Sequence, residues 1–293
     1  MRDIYLIIEL SYNFAIKFEV RARMIRTDKL IEIFYDTQNF YTTDNDLKEA
    51  LEFSVKHTRI YRPDEYPDLP DISEKLGLPL VLNLRSFQAA MKFHRVMPNK
   101  KIAVLNFASE VRPGGGVLRG SSAQEEALCR CSTLYPTLNQ DWLKKSYYFP
   151  NKEHRDYRND DTCIYSEKVI ICKTDTAAPE RLSHEDFVPV DVITCAAPNL
   201  NHVEAGAINF SELLALHVKR AKHILHIASA NGVDILVTGA FGCGAYKNDP
   251  KIVAEAWKEA LKTYQKKFDY IIFAVFFRNR EIDNFKVFNE KFS

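Results

Sequence analysis

Three consecutive glycines, Gly114-Gly115-Gly116, are followed after seven residues by Gln124-Glu125-Glu126. A glycine run carries no side chains to hold a ligand away from the backbone. A backbone cradle beside an acid is what cleavage of a sugar-phosphate requires. Adjacent residues on a helix point about 100° apart, so the two acids would not share one target. One would reach a leaving-group oxygen while the other holds a hydroxyl. Ordinary glycosidases use two separated carboxylates; a single glutamate could act as acid and then base where the substrate itself stabilises the sugar cation. The alternative is structural: two acids in a first turn stabilise a helix N-terminus.

A second glycine-rich stretch, Thr238-Gly-Ala-Phe-Gly242-Cys243-Gly244-Ala245-Tyr246-Lys-Asn-Asp-Pro250, follows the apolar run DILVT. Strand, glycine loop and helix N-terminus together form an anion-binding arrangement. The stretch is neither a Walker sequence nor GxGxxG, and a tight turn with close strand–helix packing is the structural alternative. Lys101–Phe107 (KIAVLNF) precedes the first loop and also reads as a strand covered on both faces. Both loops would then lie on one rim of a sheet, where open α/β sheets bind ligands.

The elements that must position these loops alternate. Apolar runs at Lys101–Phe107, Val169–Cys172, Val190–Ala196, Asp234–Thr238 and Tyr270–Phe277 predict strands. Helices are predicted over Lys29–Tyr35, Asp44–His57, Ser86–Met97, Gln124–Leu138, Phe210–Asn231, Lys251–Phe268 and Glu281–Phe292. Thr43 or Asp44 would cap the second, and Asp249-Pro250 supplies a cap and first-turn proline for the sixth. Trp257 falls on that helix's apolar face and reads as core. Tyr61–Leu80, with four prolines, and residues 140–166 read as irregular. The pattern predicts an α/β sheet with helices on both faces, residues 1–85 forming a helical extension on a core at 86–293.

The chain has 293 residues, 46% hydrophobic and 27% charged, with a net charge of +1. That excludes a nucleic-acid groove built on bulk positive charge. The leading IYLIIEL is too short to span a membrane; residues 1–23 would pack on the domain, or be poorly ordered if Met24 is the natural start. The six cysteines fit no zinc spacing and read as reduced, mostly buried thiols of a cytoplasmic protein. Cys243 reads as a packing residue and His217, His223 and His226 as surface or packing residues. Arg112, Arg119 and Lys247 read as solvated charges. No metal or cofactor is expected.

Gly114-Gly115-Gly116, the seven-residue gap and Gln124-Glu125-Glu126 together resemble the signature of microbial-type poly(ADP-ribose) glycohydrolases, which have a macrodomain-like fold. LNFAS (105–109), CRCSTLY (129–135), VDVITCAAPNL (190–200) and TGAFGCGAYKNDP (238–250) resemble further family blocks in family order. The resemblance runs from about Lys29 to the C-terminus. It implies a three-layer α/β/α mixed sheet and hydrolysis of the ribose–ribose bonds of poly(ADP-ribose), releasing ADP-ribose.

By position, Glu126 matches the family's catalytic acid and Glu125 the residue that holds ribose hydroxyls. Gly114–Gly116 would wrap the terminal ribose and diphosphate, with Gln124 in the same binding set. Gly242–Ala245, Cys243 and Gly244 included, would cradle the diphosphate. Asn106 and Ser109 would reach ribose hydroxyls; eukaryotic relatives tend to have Asn near position 109. Tyr246 stands where relatives usually carry Phe beside the terminal ribose. Phe276 and Phe277 end the last strand, where relatives place an aromatic against adenine, and only one of two successive strand residues can face it. Removal of single ADP-ribose groups from an acceptor, or ADP-ribose binding without turnover, are the competing functions.

Overall fold

Every residue of KIAVLNF from Ile102 to Asn106 is buried, and the strand they form lies in the middle of a seven-stranded sheet. The computed structural model describes residues 27–71, 73–154, 156–204, 207–278 and 283–293; the expectations for residues 1–23 lie outside them. The strands are β1 (Arg59–Tyr61), β2 (Leu78–Leu82), β3 (Ile102–Phe107), β4 (Cys163–Ile171), β5 (Val188–Cys195), β6 (Ile235–Thr238) and β7 (Tyr270–Ala274). Their order is β1-β4-β5-β3-β6-β7-β2. The run β5-β3-β6-β7-β2 is parallel, and β4 is antiparallel to both β5 and β1. The sheet is therefore mixed, with its parallel part carrying the loops of interest.

The helices are α1 (Thr27–Thr43), α2 (Asn45–Lys56), α3 (Ser86–Val96), α4 (Gln124–Cys131), α5 (Leu134–Leu138), α6 (Phe210–Ala230), α7 (Pro250–Tyr264) and α8 (Asp283–Phe292). Strand alternation divides the core into two layers. Ile102 and Val104 of β3 face a core with Phe87, Phe93, Leu128 and Leu134. Ala103 and Leu105 face the other, with Ile224, Val253, Trp257 and Phe288. Helices thus cover both faces of the sheet. No helix of the described residues is long and apolar enough to cross a membrane.

Several boundaries differ from the sequence reading, each for a tertiary reason. Helix α1 continues eight residues past Tyr35, through polar positions that read as a stop. Thr37 is fully buried, its hydroxyl bonded to the carbonyls of Ile33 (2.9 Å) and Arg130 (2.6 Å). The helix expected at Gln124–Leu138 breaks at Ser132, which bridges to Ile171 across the edge of β4. Residues 140–166 are not all irregular: Asp141–Leu143 and Phe149–Glu153 are helical turns joined by a π turn, and β4 begins at Cys163. Strand β7 ends at Ala274, where its partner β2 ends at Leu82; the Val275 amide makes the last ladder bond, to the Leu82 carbonyl, and the Phe277 amide donates to the Asn83 side chain instead.

The segment before residue 86 does more than lay helices on the core. It supplies both edge strands, β1 and β2. Pro79 disguised β2, but an edge strand tolerates a residue with no donor to the ladder.

Helix α1 is anchored by a buried cation. The Lys173 ammonium, 1% exposed, donates to Asp36 (2.6 Å) and to the Ile33 carbonyl (3.1 Å). Asp36 also pairs with Arg181, and chiefly this guanidinium, with Lys173 behind it, holds the carboxyl down at about 2. Replacing Asp36 by Ala strands a buried charge and is expected to lower unfolding free energy by about 3 kcal/mol. Lys173→Met, which removes that charge, is expected to lower it by less than half as much, both measured by urea unfolding.

Candidate active site

Strands β3, β5, β6 and β7 run parallel, so the chain leaves all of them on the same rim. The loops that follow enclose a cavity of about 390 Å³, within the range of small-ligand sites. Both glycine stretches and both glutamates meet there.

Gln124 joins the acids to the sheet. Its Oε1 accepts from the Phe107 amide (2.9 Å), and its Nε2 donates to the Leu105 carbonyl (2.8 Å) and to Ser86 Oγ (3.0 Å). The first turn of α4 is thereby fixed to the end of β3. Although Gln124 lines the cavity, its polar atoms are engaged in this clamp. That departs from the expected binding role.

Glu125 and Glu126 are buried, 3% and 7% exposed. The Ser109 amide donates to Glu125 Oε2 at 2.7 Å, and Asn106 Nδ2 lies 3.4 Å from Oε1. The Gly116 amide donates to Glu126 Oε1 at 2.8 Å, while Glu126 Oε2, also buried, has no hydrogen-bond partner among the described residues. Burial pushes the Glu125 carboxyl well above the usual carboxylate range. The Ser109 amide opposes that shift, the Glu126 charge adds to it, and Asn106 and the Gly114 amide oppose it again. Glu125 therefore keeps its proton into a pH range where an exposed carboxyl would have lost it.

Gly115 passes between these carboxylates. A Cβ there would lie 2.5 Å from Glu126 Oε1 and 2.9 Å from Glu125 Oε2, on a backbone with φ of +60°. Only glycine fits. The flanking glycines serve differently from expectation. The amides of Gly114 and Gly116 face the acids, and of the three glycines Gly115 alone lines the cavity. Asn106 is fully buried behind Glu125 and also donates to Thr194 Oγ1 at 3.2 Å. It supports the acid from outside the cavity, where the sequence suggested a ribose contact. Ser109 does line the wall.

In the second loop, Gly242, Gly244, Ala245 and Tyr246 line the cavity. Cys243 does not: its amide donates to the Ala240 carbonyl, and its thiol packs on the second core. Burial pushes that thiol up, away from nucleophilic character. Gly242 (φ +78°) leaves no room for a Cβ, which would meet Ala197 Cβ at 2.6 Å and Asn248 Nδ2 at 2.7 Å.

Of the two candidate aromatics, Phe276 lines the cavity, 44% exposed, with the Arg85 guanidinium 4.8 Å from its ring centre. Phe277 turns away and packs on Phe285. Arg85, Ser86 and Asp175 also line the cavity and were missed by sequence reasoning. Arg85 caps α3 and Ser86 begins it, just after β2, and β2 itself went unrecognised. Asp175 follows β4 with no pattern to mark it. Asp44, Asp46 and His184 bring ligand-type atoms within 4.8 Å of one another, but none of the three lines the cavity.

Asn248 holds the second loop in shape. Its Nδ2 donates to the carbonyls of Pro198 (2.8 Å) and Gly242 (3.1 Å). Its Oδ1 therefore faces His217 Nε2, 2.8 Å away, which carries the proton. His217, His223 and His226 are all buried, consistent with packing roles.

These features define an α/β/α domain of macrodomain-like fold with a cleft at one rim of the sheet, lined by two glycine loops and a buried pair of glutamates. The signature of the microbial-type PARG catalytic domain matches residues 29–174. Poly(ADP-ribose) glycohydrolase from Thermomonospora curvata superposes with a TM-score of 0.79 at 27% identity, over 91% of this chain and all of that one. Its complex with the inhibitor ADP-HPD gives 0.78 at 28% identity and the same coverage. The Deinococcus radiodurans enzyme in complex with ADP-ribose gives 0.72 at 30% identity, over 82% of this chain and 96% of that one. No curated protein matches in sequence. The chain belongs to the microbial-type poly(ADP-ribose) glycohydrolase family, glycosidases that act on poly(ADP-ribose).

Burial is the main reason that His217 is lowered to about 4, against the Asn248 bond, which raises it. Between about pH 6.5 and pH 4 the unfolded chain binds a proton that the folded ring refuses, so stability falls as pH drops through that window. The loss is about 3 kcal/mol when complete. Thermal unfolding midpoints from pH 7 to pH 4.5 are expected to fall steeply in the wild type and less in His217→Gln.

Proposed function

We propose that this protein hydrolyses the ribose–ribose bonds of poly(ADP-ribose) and releases ADP-ribose, with Glu126 as the general acid and base. The observation that carries this is the division of labour in Glu126. One oxygen is fixed by the Gly116 amide; the other is buried and, among the described residues, without a partner, on a side chain that lines the cavity. A fixed carboxyl with one uncommitted oxygen can give a proton to a substrate and take one back.

Glu126 donates a proton to the ribose 2′-oxygen of the departing ADP-ribose unit as the bond from that oxygen to the anomeric carbon breaks. The oxocarbenium-like ribose then takes up water, and the water's proton returns to the Glu126 carboxylate. Glu125 holds ribose hydroxyls. The second loop holds the diphosphate: among the described residues, the amides of Gly242, Gly244 and Ala245 donate to no protein group, which supports that role. Phe276 offers the adenine a ring face. Buried unpaired thiols agree with a reducing compartment, and we assign the protein to the cytoplasm, acting on the polymer or on ADP-ribosylated proteins.

Glu126→Gln is expected to lower polymer turnover by about 10³-fold while ADP-ribose affinity, measured by calorimetry, stays near wild type. Release of ADP-ribose from a mono-modified protein but not from polymer would move the assignment to a mono-ADP-ribosyl hydrolase. Binding with no turnover of either substrate would make the domain a reader. Gly115→Val is expected to weaken ADP-ribose binding at least about tenfold, since the side chain displaces both carboxylates; unchanged affinity would count against the loop's role.

A further inference from the structure

Tyr246 lines the cavity, yet its hydroxyl is turned away from it into a contact between loops. The O–H donates to Glu110 Oε2, with the Ala108 carbonyl 3.3 Å away as a second acceptor. Glu110 Oε1 accepts from Asn199 Nδ2 at 3.4 Å. Loops leaving β3, β5 and β6 therefore meet at one carboxylate. Burial holds the proton on the phenol, and the Glu110 charge adds to that, so the hydroxyl remains a donor.

The Ala108–Ser109 peptide lies between this contact and the acids. Its oxygen faces Tyr246, and its N–H donates to Glu125 Oε2 at 2.7 Å. A peptide unit is planar, so fixing one end fixes the other. On the far side, the Leu200 amide donates to the Tyr246 carbonyl at 3.0 Å, and Asn201 Nδ2 donates to the Ala245 carbonyl at 2.5 Å. Tyr246 is thus held at its backbone by one loop and at its hydroxyl by another.

The geometry points to a Glu110–Tyr246 clasp that orients Glu125, with Tyr246 as a positioning residue for the cleavage step. This rests on the glycohydrolase function above. The clasp joins the loop that supplies ribose contacts to the loop that holds the diphosphate, so both grips on the substrate are assembled before it arrives. It assigns Glu110, which does not line the cavity, a share in catalysis through Glu125.

Tyr246→Phe keeps the ring and deletes the donor. Glu110→Ala deletes the acceptor, and Glu110→Gln keeps a carbonyl oxygen in its place. Turnover of poly(ADP-ribose), ADP-ribose affinity by calorimetry and unfolding midpoints are measured for each, and for Tyr246→Phe combined with Glu110→Ala. Tyr246→Phe and Glu110→Ala are each expected to lower kcat about tenfold while ADP-ribose affinity stays within about threefold. The double variant falls no further than either single one, because both remove the same bond. Glu110→Gln recovers most of kcat. Wild-type kcat in Tyr246→Phe, or losses that multiply in the double variant, overturn the clasp. A wild-type protein that binds ADP-ribose but releases none from polymer overturns the glycohydrolase reading itself, and the clasp's part in cleavage with it.

Discussion

Two carboxylates can sit side by side out of water only where donors from elsewhere in the chain meet them. Glu125 and Glu126 satisfy that condition through backbone amides: Ser109 for the first, Gly116 for the second. Backbone donors are held in place by the chain itself, but they must come within hydrogen-bond distance, and a Cβ at Gly115 would prevent it. The loop's glycine content, its left-handed turn and its place at the end of β3 all follow from that approach. So does the clamp of Gln124, which keeps the first turn of α4 at the strand end while the loop folds over it.

The same need for rigid support runs outward. Asn106 backs Glu125 from within β3, and Thr194 on the adjacent strand accepts from Asn106 in turn. The second loop is held by Asn248, which a neutral, buried His217 orients. Farther out, Arg220 is almost fully buried against Asp161 and donates to the carbonyls of Arg158, Asn159 and Ala196, fixing the chain as it leaves β5 toward the cavity. Asn248 and Arg220 hold mostly backbone carbonyls, while Asn106 works through other side chains. The site is therefore as rigid as the sheet rim on which it stands.

Much of this is legible in the sequence because it is local. A triglycine, a fixed gap and an acidic pair are short-range patterns, and apolar runs such as KIAVLNF locate a central strand without help. What escaped was set by distant partners. Helix α1 passes through Asp36 and Thr37 because Lys173 and Arg130 meet them there, and neither residue is near in sequence. Strand β2 was hidden by Pro79, which offends only if the strand is internal. In the site, the direction of a side chain was the least readable quantity. Gln124, Asn106 and Cys243 belong to the site's motifs, yet the first two brace its walls and the third packs beneath it. Arg85 and Asp175 line the cavity with no motif at all.

The pairing of the two ends of the chain bears on how the protein is made. Among the described residues strand β2 pairs only with β7, Leu78 opposite Tyr270, so an edge strand synthesised early waits for that partner until synthesis is nearly complete. Such long-range parallel pairing is slow, and a waiting strand is open to the wrong neighbour. Pro79 interrupts its row of donors throughout that wait. The residue that obscures β2 in the sequence thus also leaves the waiting edge one donor short.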